Sequence, residues 1–187
     1  MSSTPSRYHA AAIILHWIMA VAFLLMLASG LAMANLEIEK SLKFQMYQWH
    51  KSLGVLLLLA FFLRLAIRLS TQQPPWPVSM KPLERKTAHA GHMVLYVWMI
   101  ALPLTGWAIV SASIYGLPTI VFGWFEWPHI PGIFGNEDLE EIAEDTHSFL
   151  AYCFILFIAG HIAAVIKHAF IDHENLLPRI GIGKQKE

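Results

Sequence analysis

The sequence predicts an all-α fold: an integral membrane four-helix bundle with both termini cytoplasmic. Three observations carry this. Of 187 residues, 56% are hydrophobic and only 14% charged, where a soluble domain is nearer a quarter charged. The apolar residues gather into four stretches of the length, about 20 residues, that a helix needs to cross a bilayer. Thirteen Lys and Arg balance thirteen Asp and Glu, yet the two signs are segregated along the chain. A neutral, apolar chain of this size excludes a basic nucleic-acid binder, a disordered chain and a pair of ordinary soluble domains. One cysteine, Cys153, leaves no intrachain disulfide, no C-x-x-C-H haem attachment and no cysteine zinc cluster.

The first span covers about 10–34 and carries no formal charge. Ala32-Met33-Ala34 resembles a signal-peptidase site, but the apolar run before it is too long for an h-region and is interrupted by His16-Trp17, so it reads as a retained helix. The second span covers about 45–69, with Lys51 and Arg64 snorkelling from its ends. The third covers about 88–112 and contains Pro103, which predicts a kink of the kind membrane helices tolerate. The fourth covers about 147–168. The whole of 1–187 is thus one transmembrane domain. Pro74-Pro75-x-Pro77 reads as a stiff linker. The aromatics of Gly123-Trp124-Phe125-Glu126-Trp127-Pro128 suit a membrane interface. No phosphate-binding loop, dinucleotide fingerprint or H-E-x-x-H motif is present.

Loop charge orients the chain. Arg7, Arg64, Arg68, Lys81, Arg85, Lys86, Lys167, Arg179, Lys184 and Lys186 fall on one side, and Lys40, Lys43 and Lys51 on the other. The positive-inside rule makes the first side cytoplasmic. The segment 113–146 is then an acidic outer loop, holding Glu126, Glu137, Asp138, Glu140, Glu141, Glu144 and Asp145 and no Lys or Arg.

Ten histidines in so apolar a chain require a reason, because ionisable groups inside a bilayer are costly. His147 and His161 are fourteen residues apart, which on a helix puts them about 40° apart on one face and roughly 21 Å apart in height; His168 continues the stripe. His50, near the outer end of the second span, is level with His147, and His16 is near the level of His161. Paired imidazoles from facing helices suit a six-coordinate haem b. A proton relay is the rival reading, and spacing leaves the inner pairing open, since His89 and His92 compete with His16. Gly54 and Gly160 offer room for a macrocycle. Phe154, midway between His147 and His161, reads as packing, as does Cys153.

Several segments resemble the bacterial di-haem cytochrome b561 family of inner-membrane electron carriers. They are Ile14-Leu15-His16-Trp17, His50-Lys51-Ser52-Leu53-Gly54, Ala88-His89-Ala90-Gly91-His92 with Leu95-Tyr96, His147, Gly160-His161, and the tail from Lys167-His168 through Phe170-Ile171-Asp172 to Leu176-Leu177 and Arg179. The resemblance runs from Arg7 to Arg179. It implies two b haems, with His16 and His161 as iron ligands on the cytoplasmic side and His50 and His147 on the periplasmic side. It also implies membrane lipid and a quinone, such as ubiquinone, as partners, with superoxide as the donor in one branch. His92 and His168 are the histidines left for a quinone site, where a neutral imidazole can exchange a proton. Arg64 and Arg68 suit lipid phosphates. The acidic outer loop disfavours superoxide, an anion, and favours a basic periplasmic redox partner or a neutral donor. A membrane-anchor subunit that wires a larger respiratory enzyme to quinone is the other reading.

Overall fold

A computed structural model describes residues 5–77, 79–172 and 174–183. Four helices dominate: α1 (Ala10–Asn35), α2 (Lys40–Ser70), α3 (Pro82–Ala112) and α4 (Glu137–Phe170), each long and apolar enough to span a membrane. Between α3 and α4 lies a small antiparallel hairpin, β1 (Thr119–Val121) and β2 (Phe125–Trp127), in which Ile120 faces Glu126. A single 3-10 turn, Leu177–Ile180, follows α4. Lys184 and Lys186, counted above with the basic side, lie outside the described residues.

Hydropathy locates the membrane-buried parts of the helices but not their ends. α2 begins at Lys40, where the Glu39 carboxylate caps the free amides of Ser41 and Leu42. Hydrogen bonds, chiefly from Ser41, also hold that carboxyl below its ordinary range. α3 begins at Pro82, whose missing N–H costs nothing in a first turn, and it runs unbroken through Pro103. α4 begins at Glu137, so the first ten residues of the helix come from what the sequence presents as loop. Asn136 caps it by accepting from the Leu139 amide at 3.0 Å, and Glu137, Asp138 and Glu140 crowd the first turn, where the helix dipole favours anions. Six of the seven acidic residues of the outer segment are therefore helical.

Each helix packs on its neighbour in sequence: α1 on α2, α2 on α3 and α3 on α4. The backbones of α1 and α2 do not approach α4 closely; the core closes there through side chains, with Phe23 of α1 edge-on to Phe154 of α4 at 5.2 Å between ring centres. Met19, Ala22, Phe23, Leu57, Phe61, Met99, Leu102 and Phe154 form this buried centre. The chain ends meet at one face of the bundle, where the Tyr8 amide donates to the Arg179 carbonyl at 3.1 Å and the Trp17 indole to the Ile180 carbonyl at 2.9 Å. Arg179 also donates to Pro75 in the α2–α3 link at 2.6 Å. Both termini and that link therefore share a basic face. At the opposite, acidic face the hairpin seats on α2, with the Ser52 hydroxyl accepting from the Phe122 amide at 3.3 Å and Lys51 donating to the Pro118 carbonyl at 3.2 Å.

Candidate functional site

Near the acidic face, His50 of α2 and His147 of α4 confront each other with ring centres 6.3 Å apart. Each ring is gripped in the same way from a neighbouring helix. On α1, the Ser29 hydroxyl lies 3.0 Å from His50 Nδ1 and donates its own proton to the Met26 carbonyl at 3.0 Å. On α3, the Thr105 hydroxyl lies 2.9 Å from His147 Nδ1 and bonds the Ala101 and Leu102 carbonyls, each at 2.9 Å. A hydroxyl has one proton. With that proton committed to the backbone, the oxygen accepts from the imidazole, so Nδ1 carries the hydrogen and Nε2 keeps its lone pair. That is the tautomer a metal-ligating histidine needs, oriented by an outer hydrogen bond.

A glycine follows each hydroxyl and borders the same ring. A Cβ on Gly30 would come within 3.5 Å of His50 Cε1, and one on Gly106 within 3.3 Å of His147 Cε1. Ser29-Gly30 and Thr105-Gly106 are thus a repeated hydroxyl-glycine cradle. Gly54 and Gly160 border no histidine ring: a Cβ on Gly54 would meet Met26 at 3.6 Å, and one on Gly160 would enter open space.

Toward the basic face a second cluster joins α1, α2, α3 and α4. His92 and His161 have ring centres 5.8 Å apart. His16 Nδ1 accepts from Arg64 Nη2 at 3.3 Å and lies within electrostatic range of His161 and His92. The structure thus gathers His16, His92 and His161 at one depth. The guanidinium groups of Arg64 and Arg68 both lie over the Tyr96 ring, 5.9 and 5.8 Å from its centre. The aromatic face attracts cations and turns both side chains onto α3.

His168 stands elsewhere. Its Nδ1 lies 2.8 Å from the Asp172 carboxylate, which also accepts from Lys167 at 2.6 Å, while Lys167 reaches Glu84 at 2.9 Å. Lys167 chiefly, and His168 to a lesser degree, hold the Asp172 carboxyl below its ordinary range. Glu84, His168 and Asp172 line a cleft of about 220 Å³ on the basic face with Pro77, Ser79, Met80, Lys81, Glu174 and Leu176. His161 and His168 are seven residues apart on α4, which sets His168 about 10 Å deeper toward that face. His92 and His168 are therefore not brought together.

These residues suit a haem on four counts. A metal about 2 Å from each of two facing imidazole nitrogens sets the ring centres about 6 Å apart, as His50 and His147 are. Their Nδ1 atoms are anchored, leaving Nε2 as ligand. The histidines of α4 look across to helices whose backbones keep their distance, which leaves width for a macrocycle. Finally, among the described residues, the buried Arg64 Nη1 and Trp127 Nε1 have no hydrogen-bond partner, and buried donors without partners point to an acceptor that the polypeptide does not supply.

Residues 7–183 match the profile of the prokaryotic cytochrome b561 family. The chain is 33% identical over 184 residues to cytochrome b561 homolog 2 of Escherichia coli, covering 98% of this chain and 95% of that one. It is 29% identical to the probable superoxide oxidase CybB of Yersinia pestis, over 93% of this chain and 95% of the relative. Cytochrome b561 homolog 1 of E. coli is 25% identical over 94% and 97%. Four spanning helices, histidine clusters at two depths and a family match along nearly the whole chain agree: the protein belongs to the prokaryotic cytochrome b561 family, multi-pass electron-transfer cytochromes of the bacterial inner membrane.

Proposed function

We propose that the chain is a di-haem b cytochrome that carries electrons across the inner membrane between a donor on the periplasmic side and the quinone pool. The observation that carries this is the pair of histidine clusters at opposite depths, the outer one with each Nδ1 within hydrogen-bond reach of a hydroxyl on a neighbouring helix. His50 with His147 would hold the outer haem, and His16 with His161 the inner one. Haem b, when bound, supplies a one-electron couple at each depth. Held by two imidazoles, it would serve electron transfer and not oxygen activation.

The chain's own groups do the rest. Ser29 and Thr105 fix the outer rings. Phe23 and Phe154 fill the space between the clusters with dry apolar surface, keeping water out of the membrane centre. At the inner depth His92, packed on His161, is placed to exchange a proton with quinone, while His168 with Asp172 offers a proton site nearer the cytoplasm. Both termini then face the cytoplasm, as the basic face requires.

For the donor, the first turns of α4 and Glu126 make an acidic outer face, which favours a basic periplasmic redox protein or a neutral donor. Superoxide is the second reading, since one relative is named a probable superoxide oxidase, but negative charge repels that anion. A haem-bearing anchor of a larger respiratory enzyme would instead co-purify with a periplasmic subunit.

A reduced-minus-oxidised visible spectrum with a haem count on His16, His50, His147 and His161 variants tests the proposal. Two b haems in the parent are expected, with His50 or His147 variants losing one and His16 or His161 variants losing the other. A colourless parent, or a His16 variant that keeps both haems, overturns it.

A further inference from the structure

We propose that Arg64 and Arg68 seat a propionate of the inner haem; this rests on the di-haem reading. The two residues are one helical turn apart on α2, so their guanidinium groups share a face, and both lie over Tyr96. Two like charges are thereby held side by side within a membrane protein, and no carboxylate answers them. Neither takes part in an ion pair among the described residues.

The sequence shows why. α1 carries no acidic residue, α2 none after its cap at Glu39, and α3 none after Glu84; α4 has none between Asp145 and Asp172. Glu84 and Asp172 are already engaged by Lys167. Among the described residues, the polypeptide supplies no anion at this depth. The hydrogen bonds the arginines do make are long and to neutral atoms: 3.3 Å from Arg64 Nη2 to His16 Nδ1 and 3.3 Å from Arg68 to the Gln73 amide oxygen. Tyr96 offers a π face, but that accepts few of the ten N–H groups two guanidiniums present. Arg64 Nη1 is buried with nothing to bond. A buried charge left unpaired is strongly unfavourable, so an oxyanion is missing.

Arg64 already touches His16 and lies within electrostatic range of His161 and His92. The anion must therefore sit at the edge of the site those histidines define. At neutral pH the propionates are haem's only charged side groups, and a guanidinium matches a carboxylate with two parallel bonds. A lipid phosphate has the same donor demand, and it is the competitor to exclude.

The test is a redox titration of the purified holoprotein in which both haems are resolved. Arg64→Gln, Arg68→Gln and the double variant are expected to lower the potential of the inner haem, because removing a cation favours the ferric state, and to leave the outer one unmoved. Arg64→Lys should keep most of the parent value. A second arm needs no variant: the parent is reconstituted with haem whose propionates are esterified. Loss of the carboxylate leaves the arginines uncompensated, and the inner potential should rise. The arginine substitutions should then cause a larger drop than with the parent haem, because no carboxylate is left to take up a proton and offset the lost positive charge. Two bound haems whose potentials ignore both the substitutions and the ester overturn the arginine assignment alone. So does an arginine effect that is the same with esterified haem and accompanied by loss of bound anionic lipid. A protein without haem overturns the di-haem reading as well.

Discussion

The Thr105 hydroxyl and the His147 imidazole are 2.9 Å apart, and the direction of that hydrogen bond is set by what the hydroxyl does on its other side. Removing the hydroxyl frees the ring to rotate or change tautomer. Outer-shell partners of metal-ligating histidines are worth about 10- to 100-fold in affinity. Thr105→Val is expected to weaken retention of the outer haem by that order, with Thr105→Ser restoring it. Haem content during a competition assay with apo-myoglobin measures the effect.

The glycines of the cradle should be unequal to the other helical glycines. At Gly106 a methyl group would press on His147 Cε1 at 3.3 Å, tilting the ring. Gly106→Ala is expected to shift the outer haem's spectrum and lower its occupancy severalfold. Gly160→Ala, which adds a methyl to open space, leaves the spectrum as it is. Low-temperature visible spectra of the two variants separate them.

Acid at the start of α4 has a kinetic signature. With Glu137, Glu140, Glu141 and Glu144 replaced by Gln, reduction by a cationic soluble donor should slow about tenfold or more at low salt, within the range steering provides. The parent's rate should fall steeply with ionic strength and the variant's less so, since Glu126, Asp138 and Asp145 remain. Stopped-flow reduction across a salt series measures both, and faster reduction of the variant by superoxide is the companion expectation.

The pH response of the tail follows from Asp172. Its carboxyl is held below the ordinary 3.8, first by the Lys167 hydrogen bond. A depressed carboxylate contributes its stabilisation in full above the ordinary value and loses it as pH falls through the lowered one. Protection of the Asp172 and Glu174 amides, which bond the Lys167 and His168 carbonyls, should keep the contribution of the Asp172–Lys167 pair above the ordinary value. It should collapse only below the ordinary value. Amide exchange normalised for intrinsic rate reads this, and Asp172→Asn should erase the acid transition.

His92 and His168 make separable predictions because they stand at different depths. His92→Gln should slow quinone reduction while both haem spectra persist; loss of the inner haem instead would make His92 its ligand. His168→Gln should leave the spectra alone and weaken only the pH dependence of quinone turnover. Quinone reduction followed beside the haem spectrum distinguishes the two.

The bundle was legible because membrane helices announce themselves by apolar length, and the histidines because little else ionisable lies within the spans. The helix ends were not. Glu137 to Asp145 are polar, so hydropathy assigns them to a loop even though Asn136 and the acidic first turn satisfy every requirement of a helix start. The hairpin escaped because strands of three residues are too short to show alternation, and its turn rests on Phe122 and Gly123 at positive φ. Ser29 and Thr105 were missed for a different reason: a lone hydroxyl in a span can bond its own backbone and attracts no notice. The signal that would have found them is the repeated hydroxyl-glycine dipeptide at the outer depth of α1 and α3. That Arg64 and Arg68 both fold onto Tyr96 was not legible either, because a sequence does not show which way a long side chain turns.

The bonds between the chain ends have a mechanical consequence. α1 and α4 are the first and last helices, and their backbones are not closely packed on each other. Beside the core contact of Phe23 with Phe154 there is a latch between α1 and the tail after α4, where the Tyr8 amide bonds the Arg179 carbonyl and the Trp17 indole bonds the Ile180 carbonyl. Gly181, at φ +89 with Ile13 pressing where its side chain would be, turns the tail so that it lies against α1. The spacing of two helices deep in the bilayer is thus governed by a clasp at the water's edge, which can be undone by trimming a few residues without touching the interior.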